Sequence, residues 1–147
     1  MPVSLAYLAG FLREKGHAVH VIDAFGERPE NITIQGTHII QGLTTSEVLE
    51  KISVQTQHVF VYAGQVVSHT SLLALIREIH QQHPSLPITV LENTQSVVAY
   101  ALSHVADDFL NAGATYLITG EAEFRAQELL NRTPIEKIDG LIYQKGK

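Results

Sequence analysis

The chain has 147 residues, of which 45% are hydrophobic, and its net charge at pH 7 is −5. This length and composition predict one globular domain, residues 1–147, and argue against disorder. Basic residues are few and scattered, so the chain offers no footprint for nucleic acid. Because cysteine is absent, disulfides, zinc–thiolate sites and cysteine-ligated iron–sulfur clusters are excluded within the chain.

The sequence also bears on where the protein resides. Its apolar runs break within about ten residues, whereas a membrane-spanning helix needs about 20. The first residues, Met1 to Ser4, lack the basic segment with which a signal peptide begins. We therefore expect a cytoplasmic protein without a membrane segment.

The amino-terminal part of the chain begins with a helix and a strand. Leu5, Leu8 and Leu12 fall on one helical face within residues 4–15, which predicts the helix. The β-branched run at residues 18–22 predicts the strand.

A loop, an irregular strand and a second helix follow. Residues 23–30 contain glycine and proline and predict a loop. Residues 32–40 alternate only partly between apolar and polar side chains, which favours an irregular edge strand or excursion. Thr44 and Glu47 have the spacing of a capping box, so a helix is expected from there through Ile52.

The middle of the chain predicts a central strand and a long helix. Residues 58–63, HVFVYA, form a near-continuous apolar run, which is typical of a strand covered on both faces. A loop at residues 64–69 comes next. Ser68 or Thr70 is expected to cap a helix that ends near His83.

The remaining elements continue the alternation. Residues 88–91 predict a strand, and residues 97–112 predict a helix that Gly113 closes in the left-handed conformation. A short strand at residues 116–118 then turns through Thr119, Gly120 and Glu121 into an amphipathic helix. A last strand, at an edge, is expected within residues 138–144.

Together these elements predict an α/β, Rossmann-like (flavodoxin-like) fold, in which a mostly parallel sheet carries helices on both faces. Loops that leave the carboxyl ends of such strands face the ligand crevice. Three loops should therefore converge on one binding site. Their candidate ligand-binding residues are Gly64, Gln65, Ser68, His69, Glu92, Asn93, Thr94, Thr119, Gly120, Glu121 and Glu123.

The chemistry of these loops suits binding better than catalysis. Their small residues, hydroxyls, amides and carboxylates can cradle a bulky, hydrogen-bonding ligand. The chain has no Gly-x-Ser-x-Gly elbow, no phosphate loop and no Gly-x-Gly-x-x-Gly turn. His69 stands beside Ser68, but a nucleophile–base pair needs a third, orienting group that no spacing supplies. No catalytic residue is predicted, and the turn at Gly120, taken alone, is more typical of a plain connection.

Two closely spaced histidine pairs invite a metal-site hypothesis that their geometry disfavours. His17 and His20 would point to opposite sides of a strand. His80 and His83 share a helical face, but two ligands without a third are not a site. No side chain is therefore predicted to bind a metal.

Several stretches, taken in order, resemble a known family. They are residues 2–9 (PVSLAYLA), 12–17 (LREKGH), 19–24 (VHVIDA), 120–123 (GEAE) and 138–143 (IDGLIY). Over nearly the whole chain they resemble the cobalamin-binding domain of B12-dependent radical S-adenosylmethionine enzymes. The resemblance implies that cobalamin lies against the carboxyl end of the sheet, and that a radical S-adenosylmethionine catalytic domain is a partner.

The chain departs from that family in four ways. It starts at the Pro-x-Ser-Leu-Ala-Tyr helix, so the family's usual first strand is lacking, and exposed edges would favour self-association. Glu92-Asn93-Thr94-Gln95 replaces a Gly-Gly-x-His-type loop. The Cys-x-x-x-Cys-x-x-Cys motif is absent, and so is an Asp-x-His-x-x-Gly motif that would place histidine beneath cobalt.

The leading hypothesis is a cobalamin-binding domain, a fragment or truncated relative of such an enzyme without its own catalytic cluster. Two alternatives stay open: a degenerate α/β module that serves protein–protein interaction, and a flavin- or nucleotide-binding domain that uses the same crevice.

Overall fold

The computed structural model describes residues 2–35, 38–94 and 101–144. The chain divides into two compact units, Met1–Thr56 and Gln57–Lys147. The expectation of one domain stays a prediction.

The first unit contains short helices and a β-hairpin. Its elements are α1 (Val3–Glu14), α2 (Ala24–Glu27), β1 (Ile32–Gln35), β2 (His38–Gln41) and α3 (Thr45–Glu50). The helix predicted at residues 4–15 is confirmed as α1, which buries Leu8, Ala9 and Leu12. The spacing of apolar residues was sufficient to find it.

The capping box before α3 is formed as predicted. The backbone N–H of Thr44 donates to Glu47 Oε2 at 2.7 Å, and the backbone N–H of Glu47 donates to Thr44 Oγ1 at 3.3 Å. The two bonds satisfy donors that have no partner inside a helix. The helix ends at Glu50, slightly before the expected Ile52.

Residues 32–40 were expected to form an irregular edge strand or an excursion, and their strands pair with each other in a separate two-stranded sheet. β1 and β2 are two antiparallel strands, in which Ile34 stands opposite Ile39 and Ile32 opposite Gln41. The partial alternation arises because the chain reverses between the strands. The intervening residues 36–37 lie outside the described part.

The strand predicted at residues 18–22 is wrong, because this segment has no regular structure. A β-branched run supplies only a preference, and a strand also requires a neighbour for its backbone groups. Among the described residues no strand pairs with this segment. The carbonyl of Val19 instead accepts a hydrogen bond of 2.9 Å from Arg13 Nη2.

The second unit is built on a four-stranded sheet. Its strands are β3 (Val59–Ala63), β4 (Ile88–Glu92), β5 (Tyr116–Ile118) and β6 (Leu141–Ile142), in this order across the sheet. β3, β4 and β5 are parallel, and β6 is antiparallel to β5. Its helices are α4 (His69–Gln82), α5 (Ala106–Ala112) and α6 (Glu123–Leu130).

This confirms the predicted class, an α/β fold with a mostly parallel sheet flanked by helices, consistent with a Rossmann-like or flavodoxin-like architecture. β4 is the central element, and Ile88, Thr89 and Val90 are completely buried. The crossovers from β3 to β4 and from β4 to β5 step in the same direction, so right-handed connections place α4 and α5 on one face, where they pack together. Residues 58–63 were predicted to form a central strand, but among the described residues β3 has a neighbouring strand on one side only and lies at the sheet edge.

The helix predicted over residues 97–112 is too long. Residues 95–100 lie outside the described part, a 3₁₀ turn spans Leu102–His104, and α5 begins at Ala106. The backbone N–H of Leu102 donates to Glu92 Oε1, which removes it from a helical ladder. Gly113 closes α5 with a φ of +111°, as predicted.

The last strand falls within residues 138–144, as predicted. It comprises Leu141–Ile142 and lies at the sheet edge, as expected. None of the helices within residues 2–35, 38–94 and 101–144 combines the length and the apolar character that crossing a membrane requires.

Candidate functional site

Three loops leave the same edge of the sheet. Because β3, β4 and β5 are parallel, Gly64, Asn93 and Thr119 each follow the carboxyl end of a strand. This is the edge at which open α/β sheets bind ligands. The structure therefore brings these candidate residues together, as the loop pattern predicted.

Glu92 fastens two of the loops. Its Oε1 accepts a hydrogen bond of 2.9 Å from the backbone N–H of Leu102, and its Oε2 accepts one of 2.7 Å from the backbone N–H of Gly120. Both oxygens of the half-buried carboxylate thus hold backbone donors of the chain itself. Glu92 was predicted to contact a ligand, and the structure adds this internal role.

Asn93 connects the loops after β3 and β4. Its Nδ2 donates a hydrogen bond of 2.7 Å to the carbonyl oxygen of Gly64. The side chain is buried, so the bond is shielded from water and the carbonyl is not left unsatisfied.

Thr119 joins the turn after β5 to the start of β6. Its backbone N–H and its Oγ1 both donate to the carbonyl oxygen of Gly140, at 2.9 and 3.0 Å. Gly140 has a φ of +70°, and a Cβ there would lie 3.0 Å from the Thr119 carbonyl oxygen. Neither the backbone angle nor the space would accept a side chain.

Gly120 also requires a left-handed backbone, with a φ of +74°. Space beside it is open, because the nearest atom to an added Cβ is Arg125 Nη1 at 3.6 Å. The turn thus presents a bare backbone at the carboxyl edge.

Arg125 holds this turn from the side. Its Nε donates to the carbonyl oxygen of Asp139 at 2.6 Å, and its Nη1 donates to the carbonyl oxygen of Glu121. Its Nη2 lies 3.6 Å from Asp139 Oδ2, whose side chain is 99% exposed. Sequence reasoning missed Arg125, although it is the only Lys or Arg between Arg77 and Arg132, a signal that could have drawn attention to it.

The side chains of the remaining candidates lie around this framework. Gln65, Thr94 and Glu121 are exposed, and Glu123 is the first residue of α6. Of the two residues predicted to cap α4, Ser68 occupies the N-cap position, but its side chain makes no cap hydrogen bond.

His69 is engaged between two helices. Its Nε2 lies 3.3 Å from Asp108 Oδ2, and its ring meets Phe109 edge-on with centroids 5.2 Å apart. The imidazole therefore links the first turn of α4 to the first turn of α5.

Exposed apolar side chains accompany the polar loops. Val66 and Val67, in the 3₁₀ turn after β3, are 55% and 78% exposed, and Phe124, at the start of α6, is 73% exposed. Burying such groups against a ligand is favourable. The edge thus combines an apolar surface with hydrogen-bonding groups.

The opposite edge of the sheet holds a partly buried titratable group. His58 precedes β3, and its Nε2 lies 2.7 Å from Oγ1 of the buried Thr89. Burial lowers the pKa of His58 to about 4, because desolvation disfavours the charged ring.

Within the described ranges, no three His, Asp or Glu side chains lie close enough together to hold a metal ion. No family model, curated protein or solved structure matches the chain. Fold and geometry together define a Rossmann-like α/β protein with a preorganised polar edge at the carboxyl end of its sheet.

Proposed function

We propose that the chain is a cobalamin-binding module that holds the corrin at the carboxyl edge of β3, β4 and β5. The observation that carries the location is the preorganisation of this edge, where Glu92 and Asn93 tie together the loops that would receive the ligand. The choice of cobalamin rests on the family resemblance of the sequence. The module would act in the cytoplasm, beside a radical S-adenosylmethionine domain that performs the chemistry.

The groups at this edge fit a corrinoid. The macrocycle has a broad, largely apolar face, which suits Val66 and Val67, and a rim of amides, which suits the exposed side chains of Gln65, Thr94 and Glu121. Gly120 leaves room for close approach. When bound, cobalamin supplies a cobalt ion that can carry an alkyl group.

The test is retention of a corrinoid by the purified chain. After incubation with hydroxocobalamin and gel filtration, the protein peak should carry about one corrin per chain, measured by absorbance. A protein peak without corrin absorbance would refute the proposal. Retention of flavin instead would favour the alternative flavin- or nucleotide-binding function.

A pair of glycine variants locates the site. Gly120→Val at the carboxyl edge should weaken cobalamin binding by about tenfold or more, because a side chain fills the approach to the turn. Gly113→Val is the control, since Gly113 also has a positive φ but precedes β5 at the opposite edge. It should lower thermal stability and leave affinity unchanged. Equal affinities of the two variants for cobalamin would show that the binding site does not include Gly120.

A second candidate function, protein–protein interaction, is favoured by the β1–β2 hairpin. Ile32, Ile34 and Ile39 are 63%, 76% and 74% exposed, and the pairing register places them on one face. No Asp, Glu, Lys or Arg occurs between Glu30 and Glu47. Natural β edges are usually protected by charge, and an isolated hairpin is marginally stable.

The partner we consider for this face is a second copy of the chain. Light scattering over a range of concentrations would then show self-association that Ile34→Lys abolishes. Thr33→Lys adds the same charge on the other face of the hairpin and should leave association unchanged. A monomer at all concentrations would exclude this candidate.

A further inference from the structure

Glu92 places a negative charge at the edge where Rossmann-like proteins commonly hold phosphate. Such proteins bind ligand phosphates with backbone N–H groups beyond the carboxyl ends of the strands. In this chain the N–H groups of Leu102 and Gly120 donate to the two oxygens of Glu92, at 2.9 and 2.7 Å. Donors that could receive an external anion are already paired with an anion of the chain.

The charges around Gly120 do not offset the negative charge of Glu92. Glu121 and Glu123 lie in the same turn and helix start as Gly120, and Asp139 lies across the turn. Arg125 is a nearby cation, but its Nη2 lies 3.6 Å from the carboxylate of Asp139, and its Nε and Nη1 donate to the carbonyl oxygens of Asp139 and Glu121. A phosphate that approached Gly120 would meet carboxylates and displace an existing bond.

We propose that Glu92 determines the charge selectivity of the carboxyl edge, so that the site takes ligands with uncharged polar groups and rejects a phosphate monoester at Gly120. The Glu92 carboxylate takes the place of a ligand anion by accepting hydrogen bonds from the backbone N–H groups of Leu102 and Gly120. The inference rests on the proposed location of the ligand site, and not on the ligand being cobalamin. The inference also separates cobalamin from a flavin mononucleotide or a nucleotide. The phosphate of either would need the backbone N–H groups that Glu92 already occupies.

Riboflavin and flavin mononucleotide are suitable probes because they differ only in a phosphate. The wild-type chain should bind flavin mononucleotide no more tightly than riboflavin. Glu92→Gln removes the charge and retains one acceptor oxygen, which leaves one backbone N–H free. Affinity for flavin mononucleotide should then rise by about tenfold or more, the equivalent of one hydrogen bond to a charged group, while affinity for riboflavin stays the same.

Inorganic phosphate provides a second measurement that needs no flavin binding. Added phosphate should raise the melting temperature of Glu92→Gln relative to chloride at equal ionic strength, and should not do so for the wild type. Glu92→Asp keeps the charge and should show no gain. Glu78→Gln removes the same charge from an exposed position on α4 and should also show none.

The outcomes separate this inference from the proposed function. A gain confined to Glu92→Gln supports the inference even if hydroxocobalamin does not bind the wild type, in which case only the proposed function fails. No gain in either measurement, or an equal gain in Glu78→Gln, would overturn it. If Glu92→Gln does not fold, a wild-type preference of tenfold or more for flavin mononucleotide over riboflavin would overturn it as well.

Discussion

His58 Nε2 and Thr89 Oγ1 lie 2.7 Å apart where β3 begins beside β4. Thr89 is completely buried, and the imidazole of His58 stacks on Phe60 with ring centroids 4.5 Å apart. Burial disfavours the charged ring, so the pKa of His58 falls to about 4.

This relationship predicts that stability is lost in mild acid. The pKa of His58 is lowered from 6.5 to about 4 by folding, so the unfolded chain binds the proton more readily between these values. Above pH 6.5 the neutral His58 leaves the free energy of unfolding at its full value. As the pH falls toward 4, the free energy of unfolding decreases by up to about 3 kcal/mol. Urea unfolding at pH 7.5 and pH 4.5 measures the loss.

His58→Gln should be less sensitive to pH than the wild type, because the partly buried titrating group is gone. His104→Gln, which removes an exposed histidine, should behave like the wild type. An unchanged acid sensitivity in His58→Gln would assign the effect to other groups.

Asn93→Asp should destabilise the fold although it is nearly isosteric. The donor that faces the carbonyl oxygen of Gly64 becomes a carboxylate oxygen, which leaves two buried acceptors opposed. The expected loss is about 2 kcal/mol in the free energy of unfolding. Asn111→Asp, at an exposed position of α5, is the matched control and should cost far less. Similar losses in both variants would show that the Gly64 contact contributes little.

Two glycine-to-alanine changes should act in opposite directions. At Gly113 the φ is +111° and an added Cβ would lie 2.6 Å from His80 Cγ, so alanine should cost about 1–3 kcal/mol. Gly10 lies within α1, where an added Cβ meets nothing within 4 Å, so alanine should stabilise by about 0.5–1 kcal/mol. Thermal or urea melts test both signs. Stabilisation by Gly113→Ala would contradict the described backbone.

A bound corrinoid should have no histidine nitrogen beneath cobalt. Among the candidate residues the imidazole is His69, and its Nε2 is engaged with Asp108. Cob(II)inamide, which has no benzimidazole of its own, should therefore show no nitrogen superhyperfine splitting in electron paramagnetic resonance when bound. Splitting that disappears in His69→Ala would make His69 the ligand.

Local patterns predicted local structure well. The capping box of Thr44 and Glu47 and the left-handed Gly113 depend on neighbouring residues, and both were found from the sequence. The strand at residues 18–22 was not formed, because a strand depends on a partner that composition does not reveal.

The hydrogen bonds of Glu92 within the chain could not be predicted from the sequence either. Its place at the end of a strand was evident from the sequence, and so was its position at the ligand edge. Its partners are backbone groups 10 and 28 residues away, at Leu102 and Gly120. Backbone donors have no sequence signature, so no pattern could have identified them.

Residues 139 and 140 are adjacent, yet they should differ sharply in how much variation they tolerate. Asp139 supports the turn through its carbonyl oxygen, which every amino acid possesses, while its side chain is 99% exposed. Gly140 has a φ of +70°, and an added Cβ would lie 3.0 Å from both Arg125 Nε and the Thr119 carbonyl oxygen. In a library randomised at both positions and selected for folding, position 139 should accept most residues, and position 140 should return to glycine.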